Sequence, residues 1–194
     1  MGDVVFLEVM ATGPHPAEVG WVAHDLGRGY SAFVRPADGW TVADDGPFPR
    51  ADLMMSGKPV AEIAKRLNHD LRGAKVLTAD PRTIGPRLKQ IFEAAGARIA
   101  FKIVHADVTN VEDYVNQACK LEDVSFEAHR ELVADIIREA GLVPGRALDA
   151  ALTHALHLCA VPVRQLAEAG QRPLSARLRK GLLERLAALK QASA

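Results

Sequence analysis

The chain has little cysteine, no net charge and no long apolar run, and each shortage removes a class of protein. Cys119 and Cys159 are the only two cysteines in 194 residues. They form no CxxC pair and no disulfide framework. Two buried reduced thiols fit a cytosolic protein, so a cytoplasmic location is expected. Lys and Arg number 24 and Asp and Glu 24, a net charge of +0, so no global field attracts or repels nucleic acid. Any polyanion site must come from a local cluster. No apolar run approaches the roughly 20 residues of a membrane span, so no membrane partner is expected. Met1-Gly2-Asp3 precedes no basic and then long apolar stretch, so no secretion signal is expected. There is no Gly-rich phosphate loop, no Gly-x-Ser-x-Gly and no internal repeat.

What is present is ordinary for a soluble globular protein: 48% hydrophobic and 25% charged residues, which excludes wholesale disorder. The length suits one domain, expected over residues 1–160, with a basic amphipathic helical tail over 161–194. Val4 to Val9 is a β-branched apolar run too short for a helix, and suits a buried central strand. Glu8 interrupts it and must reach the sheet's end or find a partner, because a bare buried carboxylate is costly. Thr12 to Pro16 is a turn by composition. Glu18 to His24 and Tyr30 to Val34 read as two further strands joined by a hairpin turn at Gly27-Arg28-Gly29.

Pro36 to Gly57 reads as a loop with a helical turn near Arg50 to Met55. Pro59 to Leu71 carries Val60, Ile63, Ala64, Leu67 and Leu71 at helical spacing, with Gly73 as the stop. A short strand over Ala74 to Ala79, a break at Asp80-Pro81, a helix from Pro86 to Gly96 and a strand over Arg98 to Val104 follow. The order is that of an α/β sheet, part antiparallel and part parallel. Beyond Val108 the chain reads as helices: Val111 to Cys119, Ser125 to Ala140, Leu148 to Cys159 and Pro173 to Leu189. The last carries a stripe of Leu174, Leu178, Leu182, Leu186 and Leu189. Seven basic residues and two acids lie between Val161 and Ala194.

Phe6 to Gly13, Glu18 to Trp21, Asp45 to Pro59, Leu77 to Leu88 and Gly145 to Ala151 together carry a resemblance. In this order they resemble the DEDD 3′–5′ exonuclease superfamily, proofreading-subunit type. The resemblance runs from about Phe6 to Leu158 and implies a ribonuclease-H-like, mixed five-stranded sheet flanked by helices, with a helical C-terminal extension. It implies an active site in which four carboxylates hold two divalent ions about 3.5–4 Å apart. A histidine serves there as general base. Phe6-Leu7-Glu8-Val9-Met10-Ala11-Thr12-Gly13 is similar to the first motif, where an Asp and a Glu flank one spacer. Gly145-Arg146-Ala147-Leu148-Asp149-Ala150 is similar to the third, His-Arg-Ala-Leu-x-Asp.

On that scheme Glu8 is the first acid, lengthened by a methylene, and Met10 takes the place of the second. Ile84 takes the acid of the second motif, Gly145 the general base and Ala150 the final acid. A thioether is a poor ligand for a hard ion. The expectation is therefore an exonuclease homologue without two-metal catalysis, a pseudoenzyme serving as a nucleic-acid- or protein-binding scaffold, with no cofactor. The enzyme alternative is a Mg²⁺- or Mn²⁺-dependent 3′–5′ exonuclease on single-stranded DNA or RNA, rebuilt from neighbours of the lost acids. Asp80, four residues before Ile84, is one such neighbour. Asp149 is another, although one helical step of about 100° turns it aside. His129 and Asp135 offer a rival third motif with a spacing one residue longer. The third alternative is an interaction module working through the tail helix, as a homodimer or with a protein partner.

Arg177, Arg179, Lys180 and Arg185 are candidate phosphate contacts beside the leucine stripe. A solvated charged face and docking of the stripe are the other readings of that helix. His154-x-x-His157 has helical i, i+3 spacing but no evident third ligand for zinc. Trp21 reads as core, and Trp40 as core or a base-stacking ring. Met54-Met55 reads as a core or lid filler.

Overall fold

A computed structural model of the protein describes residues 4–23, 26–78, 80–105, 126–142, 145–156 and 176–192. For residues 104, 105, 126, 128, 129, 154, 176–178 and 192 only the backbone is described. The first strand, β1 (Val4–Thr12), pairs antiparallel with β2 (His15–Ala23), which pairs antiparallel with β3 (Gly29–Phe33). On its other side β1 pairs parallel with β4 (Lys75–Thr78), and β4 with β5 (Lys102–His105). The sheet order is thus β3-β2-β1-β4-β5, with β1 at its centre.

Central strands are covered on both faces, and the alternation along β1 sorts its side chains between two cores. Val5, Leu7 and Val9 join a cluster with Ile63, Leu67 and Leu71 of the α2 region and Ile84, Leu88, Ile91 and Phe92. Those residues come from α2 (Val60–Asp70) and α3 (Pro81–Ala94), apart from Leu71, which caps α2. Phe6 points the other way, into a cluster with Val133, Ile136, Leu148, Leu152, Leu182 and Leu186. That layer is α4 (Phe126–Glu139), α5 (Ala147–Ala155) and α6 (Ala176–Ala192). A short helix, α1 (Arg50–Ser56), covers a third, smaller cluster of Ala17, Val42, Phe48 and Leu53.

The fold is the ribonuclease-H-like α/β arrangement that the sequence resembles, and most element positions match expectation. Three local readings change. The fifth strand begins at Lys102, not Arg98. Asn68 binds this stretch instead: its amide donates to the Arg98 carbonyl at 2.9 Å and its oxygen accepts from Ala100 N at 2.8 Å. Helix α3 begins at Pro81, not Pro86, because Asp80-Pro81 acts as cap and first residue rather than as a break. Met54 and Met55 are 45% and 79% exposed, so neither fills a core, whereas Trp21 does, at 3%. The expected helix over 111–119 and both cysteines lie outside the described residues.

The tail helix belongs to the same packed layer. Leu182, Leu186 and Leu189, spaced i, i+4, i+7, are all buried in the cluster that holds Phe6 and Val22. Lys190 fastens the end of α6, donating to the Gly141 carbonyl at 2.8 Å and lying 3.7 Å from Asp149 Oδ1. The described part of the leucine stripe is therefore covered by the chain itself. Among the described residues no helix is long and apolar enough to cross a membrane.

One contact sets how close α5 comes to the sheet. A Cβ on Gly20 would lie 2.6 Å from the Ala147 carbonyl carbon and 2.8 Å from Leu148 Cα. Only a residue without a side chain lets the first turn of α5 rest on β2. Gly20→Val is expected to cost at least about 1–3 kcal/mol as an overpacking change against backbone that cannot yield. Urea unfolding checks this; a midpoint equal to that of the wild type would refute the contact.

Candidate functional site

The candidate site is the face of β1 that carries Phe6, Glu8 and Met10, under the N-terminal turn of α5. Glu8 is 6% exposed. Thr78 Oγ1, at the end of β4, donates to Glu8 Oε1 at 3.3 Å, so the carboxylate has found the partner its burial demands. Met10 lies where β1 slips register against β2, between Met10 and Ala11. It packs against the small apolar cluster of Ala17, Val42, Phe48 and Leu53. The second acid position thus holds a side chain turned into a hydrophobic patch.

The remaining motif positions do not supply carboxylates either. Ile84 is 3% exposed and sits in the core between sheet and α3. Ala150 follows Asp149 on α5, half-buried. Gly145 takes φ +94°, a backbone conformation that a histidine adopts only under strain.

The neighbours that could have replaced these groups are engaged elsewhere. Asp80 is exposed and caps α3: its side chain accepts from Arg82 N at 3.0 Å and Thr83 N at 3.4 Å, and from Thr83 Oγ1. These bonds, the Thr83 hydroxyl first and then the two amides, hold its carboxyl below the ordinary 3.8. Asp149 is 6% exposed and faces Lys190 of α6. Asp135 pairs with Arg138 on α4 at 2.8 Å. The side chains of His129 and His154, and His157 altogether, lie outside the described residues. Among the described residues, no three His, Cys, Asp or Glu side chains converge where a metal ion could sit. Among the described residues, Glu8 with its Thr78 bond and Met10 do not fit a pair of hard divalent ions, which need several oxygen ligands in strict geometry.

The tail cations have acidic neighbours. Arg179 pairs with Glu139, and Lys180 lies 3.8 Å from Glu184. Arg185 is exposed. The Arg177 side chain lies outside the described residues. Trp40 stacks on His15 with ring centroids 5.1 Å apart and planes 7° from parallel.

A heavily bonded carboxylate lies at Glu18, in a stretch that carries the resemblance but to which no site role was given. Glu18 of β2, directly across the strand pair from Met10, is 1% exposed. It receives Arg146 Nε at 3.0 and 2.9 Å, Arg146 Nη2 at 2.8 Å and the Ala147 amide at 2.9 Å. Arg146 lies over the Phe33 ring, 4.8 Å from its centroid. The hydrogen bond to Glu18 raises the guanidinium pKa further, against the opposing effect of burial. The sequence signal was there: an acid inside the apolar run Ala17-Glu18-Val19-Gly20-Trp21 requires a partner.

Sheet order, the acid-bearing end of β1 and the helix crossing it define a protein with the ribonuclease-H-like exonuclease fold. Solved structures similar to it include exonucleases I. One, from E. coli in complex with a dA16 oligonucleotide, has 13% identity and a TM-score of 0.52, over 97% of this chain and 46% of that one. An exonuclease I in complex with SSB-Ct gives 14% and 0.54, over 97% and 46%. The moderately thermophilic exonuclease I of Methylocaldum szegediense gives 12% and 0.51, over 93% and 42%. The chain spans under half the length of these proteins. No family model and no curated protein matches the sequence.

The Asp80 cap has a testable pH signature. A carboxylate whose folded pKa is depressed contributes its stability above the unfolded value and loses it as pH falls through the folded one. Asp80→Ala should therefore lower the urea midpoint at neutral pH, and the gap from wild type should close in strong acid. A gap that stays constant across the acid range would show that Asp80 does not cap α3 as a carboxylate.

Proposed function

We propose that the chain is an exonuclease-fold homologue without two-metal catalysis that serves as a scaffold binding single-stranded nucleic acid. The observation that carries this reading is the fate of the first-strand acid pair. Glu8 is buried against Thr78, and Met10 is packed into an apolar cluster. A phosphodiester cleaved between two ions needs carboxylates to hold both, and a methylene or an ångström of misplacement alone can cost roughly 10²-fold in rate. The remaining motif positions, Ile84, Gly145 and Ala150, support the same conclusion, and Asp80 and Asp149 are committed to the α3 cap and to Lys190.

The fold neighbours support this ligand class. An exonuclease I with this fold is solved with a dA16 oligonucleotide, and another with SSB-Ct. The scaffold reading keeps the oligonucleotide and drops its cleavage. With net charge +0, binding depends on local cations, of which the exposed Lys180 and Arg185 of α6 are described. Such contacts release counterions, so affinity must fall as salt rises. A protein ligand is the second reading, and its mark is binding that salt leaves unchanged.

End-labelled single-stranded DNA and RNA, incubated with Mg²⁺, Mn²⁺ or EDTA beside the Glu8→Ala variant, test the proposal. The expected outcome is no shortening under any condition, with salt-sensitive binding by fluorescence anisotropy. Metal-dependent shortening that Glu8→Ala abolishes would mean a rebuilt catalytic site and would overturn it.

A further inference from the structure

An ion pair between a strand and a helix usually reads as one more surface contact, but the bonds at Glu18 do a second job. The first amides of a helix have no partner within it and are normally met by a side chain just upstream. In α5 the upstream cap residue is Arg146, whose side chain makes no capping bond. The Ala147 amide is met instead by the Glu18 carboxylate, 129 residues away in sequence. The same carboxylate holds the guanidinium of the cap residue itself in a two-pronged grip. Gly20, two residues on in β2, lets the turn approach to backbone contact.

We infer that Glu18 is the N-terminal cap of α5 supplied from β2, and that with Arg146 it forms a latch that sets the third-motif helix on the sheet without any ion. In a two-metal site, ions shared between acids of the first strand and of this helix would join the two elements. Here the joining charges are both the chain's own. Negative charge at a helix N-terminus is favourable with the helix dipole as well as the arginine, so one carboxylate serves two attractions. Arg146 stays half-exposed, with its side chain 46% accessible, while Glu18 is 1% accessible. Loss of the carboxylate therefore strips both the amide and the guanidinium, whereas loss of the guanidinium leaves a buried charge on the amide alone. The two positions act as a unit. The inference rests on the non-catalytic reading only for its statement that no ion is needed.

Hydrogen exchange read by mass spectrometry on the full chain tests this, with peptides of α5 as probe and peptides of β1 as internal control. Glu18→Gln should speed exchange in α5 by roughly tenfold or more, the weight of lost bonds to a charged group, with β1 unchanged. Arg146→Lys, which keeps the charge and loses the fork, should give a smaller increase. The charge-swapped pair Glu18→Arg with Arg146→Glu should not rescue α5, because the Ala147 amide then faces a donor. Equal α5 exchange in wild type, Glu18→Gln and Arg146→Lys overturns the latch. Full rescue by the swapped pair overturns the capping role and leaves a simple ion pair. Wild-type Tm should be the same in EDTA and in Mn²⁺. A rise in Mn²⁺ overturns the ion-free statement and the non-catalytic reading together, while the exchange comparison still decides the latch.

Discussion

The Glu18 carboxylate is the constraint on which the arrangement of the site depends. Burying a charge to 1% exposure is affordable to a fold only when every lone pair is used, and here a guanidinium fork and a helix amide use them. Those bonds join β2, the start of α5 and, through the Phe33 ring under Arg146, β3. They fix the height and direction at which α5 crosses β1. Leu148, Leu152 and Leu156 then meet Phe6 and Val22 below, and Leu182 and Leu186 of α6 close the layer.

Above that layer the face of β1 follows a consistent physical logic. Several carboxylates gathered around one point repel each other unless cations hold them, and the like-charge cost rises as water is excluded. On the non-catalytic reading proposed above, apolar side chains at such positions pack without that cost. Met10 packs against an apolar cluster, Ile84 lies in the core between sheet and α3, and Gly145 takes φ +94°. Glu8 of the same face is met by the Thr78 hydroxyl.

Much of this was legible in the sequence, for reasons that differ by element. β1 to β3 and α2 announce themselves through alternation and 3.6-residue spacing, which local packing enforces. The third-motif helix was legible by resemblance, and Asp149 turns aside from Ala150's direction as a helical step dictates. What was not legible depends on contacts distant in sequence. Glu18 and Arg146 stand 128 residues apart, so neither local periodicity nor any motif joins them. The start of α3 was misplaced because Asp-Pro reads equally as a break or as a cap followed by a first residue, and only the amides of Arg82 and Thr83 decide between them. The start of β5 was misplaced because Asn68, from α2, takes the backbone groups of residues 98 and 100. For the tail helix, docking of the leucine stripe was one of three readings, and Leu186, fully buried in the layer that holds Phe6, favours it.

The most direct measurement is a calorimetric titration of Mn²⁺ into the folded chain, repeated on Glu8→Ala. The account predicts no saturable heat in either protein, because among the described residues no three carboxylate or imidazole side chains converge at the β1 face. Saturable binding of two ions per chain, lost in Glu8→Ala, would contradict it and restore a two-metal centre to this fold.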